Sequence, residues 1–273
     1  MEIKQTLILD ISDSLSKALT QLDVSPAVIV TKDGRYYGII DHRCITQSIR
    51  DPHNVKCETV ISKPPPLPES AGVLNRVEAF LSGHFKALPV LDESKKPLGI
   101  TTRVELLKDM LDNNLIPEMS VSELMSSPVY AIDENESIAT AKRVLKEKKV
   151  HRLVVTRLGK LIGVVSNFDI GTWSGKPNLP GGRKDIRLSQ QINVDSIKIA
   201  SYLRPDVTRV KVGSTLAEAA DRMVVKQVSA VIVVSDNKPL GVISALDIFK
   251  KVQEMAREGI PIQISGVSEV DRC

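Results

Sequence analysis

Gly163-Val-Val-Ser166-Asn-Phe-Asp169 is the most informative stretch of the sequence, because its pattern occurs four times along the chain. The pattern is a glycine, two mostly apolar residues, a small polar residue, two spacers and an acidic residue. Gly241-Val-Ile-Ser244-Ala-Leu-Asp247 repeats it fully, whereas Gly99-Ile-Thr-Thr102-Arg-Val-Glu105 and Gly38-Ile-Ile-Asp41-His-Arg-Cys44 are degraded copies. Self-similarity of this kind indicates a tandem repeat architecture.

An amphipathic helix is predicted before each copy of the motif. In the first and fourth repeats the apolar residues recur at i, i+3, i+4 and i+7, which places them on one helix face. Two short β-branched runs lie between each helix and its glycine, such as 153–155 and 161–165. A second helix is predicted after the motif, as at 105–111 and 245–255. Each repeat is therefore strand, helix, strand, strand, helix, and the fold class is α/β (α+β).

This order of elements and the Gly-x-x-Ser/Thr-x-x-Asp signature resemble the CBS (cystathionine β-synthase) domain family. Met125–Ile132 also aligns with Leu203–Val210 without gaps, as do Ser137-Ile138 and Thr215-Leu216. The resemblance implies that the repeats pair into two Bateman modules, a layout similar to the γ subunit of AMP-activated protein kinase. The predicted segments are CBS-like repeats at 1–50, 57–112, 120–173 and 196–256, a basic Pro/Gly loop insertion at 174–195 and a C-terminal tail at 257–273.

The resemblance also implies a ligand in the clefts between paired repeats: AMP, ADP or ATP, with S-adenosylmethionine less favoured. The residues give a chemical reason. A strand that ends in Gly and Ser or Thr, before a helix, places a hydroxyl and backbone N–H groups where phosphate can bind. The acidic residue can then accept hydrogen bonds from ribose hydroxyls. The same spacing is also a helix-capping arrangement that needs no ligand, and this alternative stays open.

The four copies predict unequal sites. The clean copies, Ser166–Asp169 and Ser244–Asp247, predict nucleotide contact mainly in repeats three and four. Thr102–Glu105 in repeat two keeps a hydroxyl and a longer carboxylate. In repeat one, Asp41 would repel phosphate, and Cys44 cannot accept ribose hydrogen bonds as a carboxylate does. We therefore expect the first site to be empty.

Basic residues that reach the nucleotide phosphates are expected at the start of the strand after the first helix, as in the CBS-like γ subunits. Repeat three has His151-Arg152 there, and Lys86 is aligned in repeat two. Arg152 could bind phosphate through two hydrogen bonds and His151 in a pH-sensitive way; alternatively, either caps a strand end or pairs with a surface carboxylate. The aligned pairs Tyr130-Ala131 and Thr208-Arg209 complete the candidate nucleotide contacts.

Composition excludes several other classes of protein. The chain has 273 residues, a net charge of +4 and 42% hydrophobic residues, and no apolar stretch of membrane-spanning length occurs in it. Three dispersed cysteines without a CxxC spacing favour neither disulfides nor zinc, so we expect a reducing, cytoplasmic setting and no metal. Since no local Ser-His-Asp or Cys-His arrangement occurs, we expect no enzyme activity.

The first hypothesis is a regulatory, energy-sensing protein that binds adenine nucleotide and signals occupancy to an unknown effector protein. The alternative is an RNA- or ribosome-associated protein that uses the basic loop 176–187 and the C-terminal tail. An unliganded scaffold is a third reading, and homodimerisation is left open. The candidate RNA-binding residues of the loop are Lys176, Arg183, Lys184 and Arg187.

Overall fold

The computed structural model describes residues 1–22, 24–44, 52–83, 85–166, 170 and 196–259. The first repeat forms β1 (Ile8–Asp10), α1 (Leu15–Leu22), β2 (Val28–Lys32) and β3 (Arg35–Ile40). The second forms β4 (Leu67–Pro68), α2 (Val73–Leu81), β5 (Ala87–Leu91), β6 (Pro97–Thr102) and α3 (Arg103–Asp112), followed by the short α4 (Val121–Leu124). The third forms β7 (Ala131–Asp133), α5 (Ile138–Glu147), β8 (Arg152–Arg157) and β9 (Lys160–Ser166). The fourth forms β10 (Arg209–Lys211), α6 (Leu216–Val225), β11 (Ala230–Ser235), β12 (Lys238–Ser244) and α7 (Ala245–Arg257).

Each repeat contributes one three-stranded sheet, and the strand that follows the helix lies in the middle of it. In repeat three, β7 runs parallel to β8 with Ile132 opposite Val155, and β8 runs antiparallel to β9 with Val154 opposite Val164. A helical crossover gives the parallel pair and a tight hairpin gives the antiparallel pair. The α/β class predicted from the sequence is confirmed. The helices expected after the first and third motifs fall largely outside the described residues.

The chain divides into two compact units. Among the described residues, unit 1 comprises 1–120, 215–230 and 244–259, and unit 2 comprises 121–214 and 231–243. Unit 1 thus contains the first two sheets together with α6 and α7 of the fourth repeat. Within it α6 packs against α3 and α7 against α2, where the Phe80 and Phe249 rings lie 5.9 Å apart between centroids. Unit 2 contains the third and fourth sheets together with α4 and α5.

The motif glycines of unit 2 lie where the backbone of the paired repeat crosses. The backbone of Val164 exchanges two hydrogen bonds with Arg204, with N–O distances of 3.1 and 3.0 Å. A Cβ built at Gly163 would lie 2.7 Å from the Arg204 carbonyl oxygen, and one at Gly241 would lie 2.9 Å from that of Ser126. Any side chain there would therefore collide with the crossing backbone.

The same crossing occurs in unit 1. A Cβ at Gly38 would lie 2.8 Å from the Ser62 carbonyl oxygen, and one at Gly99 would lie 2.6 Å from that of Lys4. The glycine of the repeated motif is thus required by close backbone approach, which is a structural reason independent of any ligand. The crossings join repeat one to repeat two and repeat three to repeat four.

Candidate functional site

Several predicted contacts of repeat three meet at one end of the sheet β7-β8-β9. Arg152 begins β8 and lies opposite Ser166, the last residue of β9, in the antiparallel ladder. Such opposed residues have Cα atoms about 5 Å apart. The carbonyl of Tyr130 accepts a hydrogen bond from the backbone N–H of Val154 at 3.0 Å, which places Tyr130-Ala131 beside the first residues of β8. His151 directly precedes Arg152, so the fold assembles these distant residues in one place.

The charges at this sheet end are accessible. His151 and Arg152 are both exposed. No ion pair or side-chain hydrogen bond engages either of them within the part of the chain that the structure describes. Tyr130 is 41% exposed, and the Lys148 Nζ lies 5.7 Å from the centroid of its ring, a cation–π contact. The predicted ribose contact of this repeat, Asp169, lies outside the described residues.

Repeat four places Thr208 as repeat three places Tyr130. The Thr208 carbonyl accepts a hydrogen bond from the backbone N–H of Ile232 at 3.0 Å, beside the start of β11. The side chain of Arg209 has a partner within the protein, because its Nη1 donates to Asn237 Oδ1 at 2.6 Å in the β11–β12 turn. This hydrogen bond competes with the ligand contact predicted for Arg209.

The motif of repeat four forms a local cap and leaves one carboxylate oxygen over. Asp247 Oδ2 accepts hydrogen bonds from the backbone N–H of Ser244 at 2.8 Å and from its hydroxyl at 2.7 Å. The carboxylate is half-buried, and Oδ1 has no hydrogen-bond partner among the described residues. Asp247 can therefore cap α7 and still accept a further hydrogen bond.

In the motif of repeat two, both carboxylate oxygens of Glu105 have partners within the protein. Glu105 Oε2 accepts from the backbone N–H of Thr102 at 2.9 Å and from the Thr102 hydroxyl, and Oε1 pairs with Lys4 Nζ at 3.4 Å. Thr102 and Glu105 are both buried. The arrangement is a complete capping box at the start of α3, which favours the capping interpretation here. Lys86 lies next to this motif, because the following residue, Ala87, is opposite Thr102.

In repeat one, Asp41 is buried and paired with Arg43. Arg43 donates to its carboxylate through Nε at 2.9 Å, Nη2 at 2.6 Å and the backbone N–H at 2.7 Å. Burial raises the pKa of Asp41, but the hydrogen bonds and charge of Arg43, with the charge of Lys86, outweigh burial and lower it. The carboxylate is therefore ionised and neutralised locally, so the phosphate repulsion expected of Asp41 is offset by Arg43.

Arg43 and Arg103 stand at spacer positions of their motifs, and sequence reasoning passed over both. Burial and the nearby charge of Arg43 lower the pKa of Arg103 to about 10. Arg103 Nε and Thr101 Oγ1 are buried and lack a hydrogen-bond partner among the described residues. Two arginines at the spacer positions of paired motifs were the available sequence signal for this basic environment.

Other predictions concern the basic loop, the C-terminal tail, metal binding and membrane crossing. The loop residues Lys176, Arg183, Lys184 and Arg187, the rest of the insertion and the tail beyond 259 lie outside the described residues. Over the described ranges, no group of three or more His, Cys, Asp or Glu side chains could hold a metal ion. None of the helices in those ranges is long and apolar enough to cross a membrane.

Two segments of the chain match a known family. Residues 121–172 and 199–254 match the model of the CBS domain. These two segments are therefore CBS domains, and the resemblance stated from the sequence is confirmed.

Relatives and solved structures extend beyond the matched segments. An uncharacterized protein of Methanocaldococcus jannaschii is 25% identical over 246 residues, which cover 87% of this chain and 56% of that protein. A second uncharacterized protein of that organism is 22% identical over 191 residues, 67% of this chain and 65% of its own. The chain thus spans 56% to 65% of the length of these curated relatives.

Two crystal structures share the fold over 92% of this chain and 97% of their own. One is an M. jannaschii protein described as a proposed archaeal homologue of g-AMPK, with a TM-score of 0.68 and 19% identity. The other is an uncharacterized conserved protein of Pyrococcus horikoshii, with a TM-score of 0.60 and 17% identity. At these identities the likeness is one of fold.

Proposed function

We propose that this chain is a non-catalytic regulatory protein that binds an adenine nucleotide, AMP, ADP or ATP, and signals its occupancy to another protein. The observation that carries the proposal is the meeting of His151-Arg152, Ser166 and Tyr130-Ala131 at one end of a single sheet. These residues are far apart in sequence, and each supplies a group suited to a different part of a nucleotide.

Arg152 and His151 are the proposed contacts to the phosphate groups of the nucleotide. A guanidinium binds phosphate through two parallel charge-assisted hydrogen bonds, which are stronger than neutral ones. The hydroxyl of Ser166, across the ladder from Arg152, is a further donor near the same position. Because Arg152 is exposed and unpaired among the described residues, binding does not require an existing ion pair to be broken.

The adenosine side rests on the backbone at Tyr130-Ala131. β7 is an edge strand, so part of its backbone N–H and C=O groups face away from β8. An adenine ring edge presents adjacent donor and acceptor groups that pair with such a strand edge. Ala131 is small and exposed, so its side chain leaves room for a flat ring.

In unit 1 the spare Oδ1 of Asp247 supports a ribose contact for repeat four. The equivalent Glu105 of repeat two has both oxygens engaged, so the same contact there would require Lys4 to be displaced.

Signalling would follow from a population shift, because a ligand moves the protein between two states only by binding one of them more tightly. The effector would recognise the favoured state.

Calorimetric titration with AMP, ADP and ATP tests the proposal, using Arg152→Ala and the matched control Arg157→Ala. Arg157 lies on the same strand, about 17 Å from Arg152 at the usual rise per residue, and pairs with Glu134. Loss of a charge-assisted hydrogen bond costs about 1.5 to 3 kcal/mol, so Arg152→Ala should weaken binding about 10- to 100-fold. The control should stay within about twofold of the wild type.

Adenosine, which lacks phosphate, separates the two halves of the site. Its affinity should be the same for the wild type and for Arg152→Ala, since only the phosphate contact is removed. Equal losses with both arginine variants, or no measurable binding of any nucleotide to the wild type, would contradict the proposal.

A further inference from the structure

The C-terminal end of α5 in unit 2 carries a dense group of cations that the proposed nucleotide site does not use. Residues 142–152 contain six Lys or Arg and one His against a single acidic residue, Glu147. We define the basic face as Lys142, Lys146 and Lys149, which are all exposed. They stand at i, i+4 and i+7, so the two helical ones lie on one side of α5, with Lys149 just beyond its end.

The packing of α5 fixes where this face lies. Ile138, Ala141 and Leu145 are buried in the core of unit 2 and set the rotation of the helix. The helix ends at Glu147, and Lys149 takes a left-handed conformation with φ of 53°. The backbone N–H of Val150 then bonds to the Leu145 carbonyl at 3.1 Å and closes the end. The lysines are therefore held outward by a well-defined helix end.

Favourable interaction with the helix dipole does not explain so many cations. The aligned helix α6 ends in the same way, with Gln227 at φ of 52° in the place of Lys149 and the Val228 N–H bonded to the Met223 carbonyl at 2.9 Å. Gln227 is exposed and uncharged, so this backbone geometry requires no cation. The basic face is thus specific to repeat three.

The two helices also differ in what covers them. In α6 the positions aligned with Lys142 and Lys146 are Ala220 and Val224, and Ala220 is buried in unit 1, where α6 packs against α3. Lys142 and Lys146 stand on the corresponding flank of α5. That flank is exposed and positively charged instead, so it is accessible to another molecule.

We propose that the basic face binds the phosphate backbone of a nucleic acid. An exposed face with several cations favours a partner that carries regularly spaced negative charges. A protein partner would need exposed apolar side chains at the centre of its interface. Within 142–152, however, Val144, Leu145 and Val150 pack into the core of the unit. The proposal does not depend on the nucleotide site, because Arg152 is not part of the face.

Fluorescence anisotropy with a short labelled single-stranded RNA, at several salt concentrations, tests this inference on the full chain. The variant Lys142→Gln/Lys146→Gln/Lys149→Gln removes the face, and Gln is compatible with the left-handed position because Gln227 occupies it in repeat four. The control Lys160→Gln/Lys211→Gln/Lys238→Gln removes the same charge from exposed lysines at the opposite, hairpin-turn end of the sheets.

The affinity of the wild type should fall with salt at a slope of about −0.7 for each phosphate contacted. The face variant should reduce that slope by about 2 and weaken binding about 100-fold at about 0.1 M salt. The control should change affinity by less than about threefold. Circular dichroism melts confirm that both variants fold.

Three results would overturn the proposal. If the control weakens RNA binding as much as the face variant does, binding reports net charge and not the face. If the face variant binds RNA as the wild type does, the lysines are not contacts. If polyglutamate displaces RNA as well as poly(U) does at equal charge, the face binds acidic protein instead. Nucleotide calorimetry on the same variants should be unchanged, which separates this inference from the proposed function.

Discussion

Replacing Gly163 by Ala tests whether the repeated glycine exists for the strand crossing. The new Cβ would lie 1.6 Å from Leu203 Cδ1 and 2.7 Å from the Arg204 carbonyl oxygen. The leucine side chain can rotate away, but the carbonyl belongs to the backbone that bonds to Val164. The substitution should therefore separate the two crossing segments of unit 2.

The expected cost follows from two contributions. Overpacking by one methyl group in a well-packed interior costs about 1 to 3 kcal/mol. The two N–H···O bonds between Val164 and Arg204 contribute about 1 kcal/mol each when they are lost. Local relaxation will reduce either the overpacking cost or the loss of hydrogen bonds. We therefore expect Gly163→Ala to lower the free energy of unfolding by about 2 to 4 kcal/mol.

Urea unfolding followed by circular dichroism measures the loss, and Gly213→Ala is the matched control in the same unit. A Cβ at Gly213 would have nothing within 4 Å, so this variant should be as stable as the wild type or slightly more stable. Hydrogen exchange at the Val164 and Arg204 amides should accelerate only in Gly163→Ala. Equal stability of the two variants would refute the crossing argument.

Three further outcomes are expected. Although burial raises the pKa of Asp41, Arg43 lowers it overall. The ion pair should therefore stabilise the fold fully above about pH 4 and less as pH falls through the folded pKa. The melting temperature of Asp41→Asn should depend less on pH in this acid range than that of the wild type. Glu105→Gln should lower the free energy of unfolding by about 1 to 2 kcal/mol because it weakens a buried cap, whereas Asp247→Asn should chiefly weaken nucleotide binding in calorimetry. Leu158 is 91% exposed with a φ of 51° in the β8–β9 turn, so Leu158→Asn should raise the melting temperature.

The sequence predicted those parts of the fold that depend on short-range pattern. The period of the apolar residues places Leu216, Ala219, Ala220 and Met223 on the buried face of α6, as expected. The turn residues likewise predicted the hairpins. Helix faces and hairpin turns are determined by residues close together in sequence, so the same local pattern recurs in each repeat and can be recognised.

Contacts between residues far apart in sequence could not be predicted from such local patterns. That α6 packs against α3 depends on side chains from two distant repeats. The hydrogen bond from Arg209 to Asn237 and the pairing of Arg43 with Asp41 are choices among several nearby partners, which local pattern does not specify. The convergence of Tyr130 with Arg152 likewise follows from strand register, which only the assembled sheet reveals.

Photolabelling with an 8-azido-ATP probe, followed by peptide mapping, shows where the adenine of a bound nucleotide lies. We expect the peptide containing Tyr130 and Ala131 to be labelled. Unlabelled ATP should prevent this labelling, and Arg152→Ala should reduce it while Arg157→Ala does not. ATP-protected labelling confined to other peptides, or its absence altogether, would contradict the assignment of the nucleotide site to this end of the sheet.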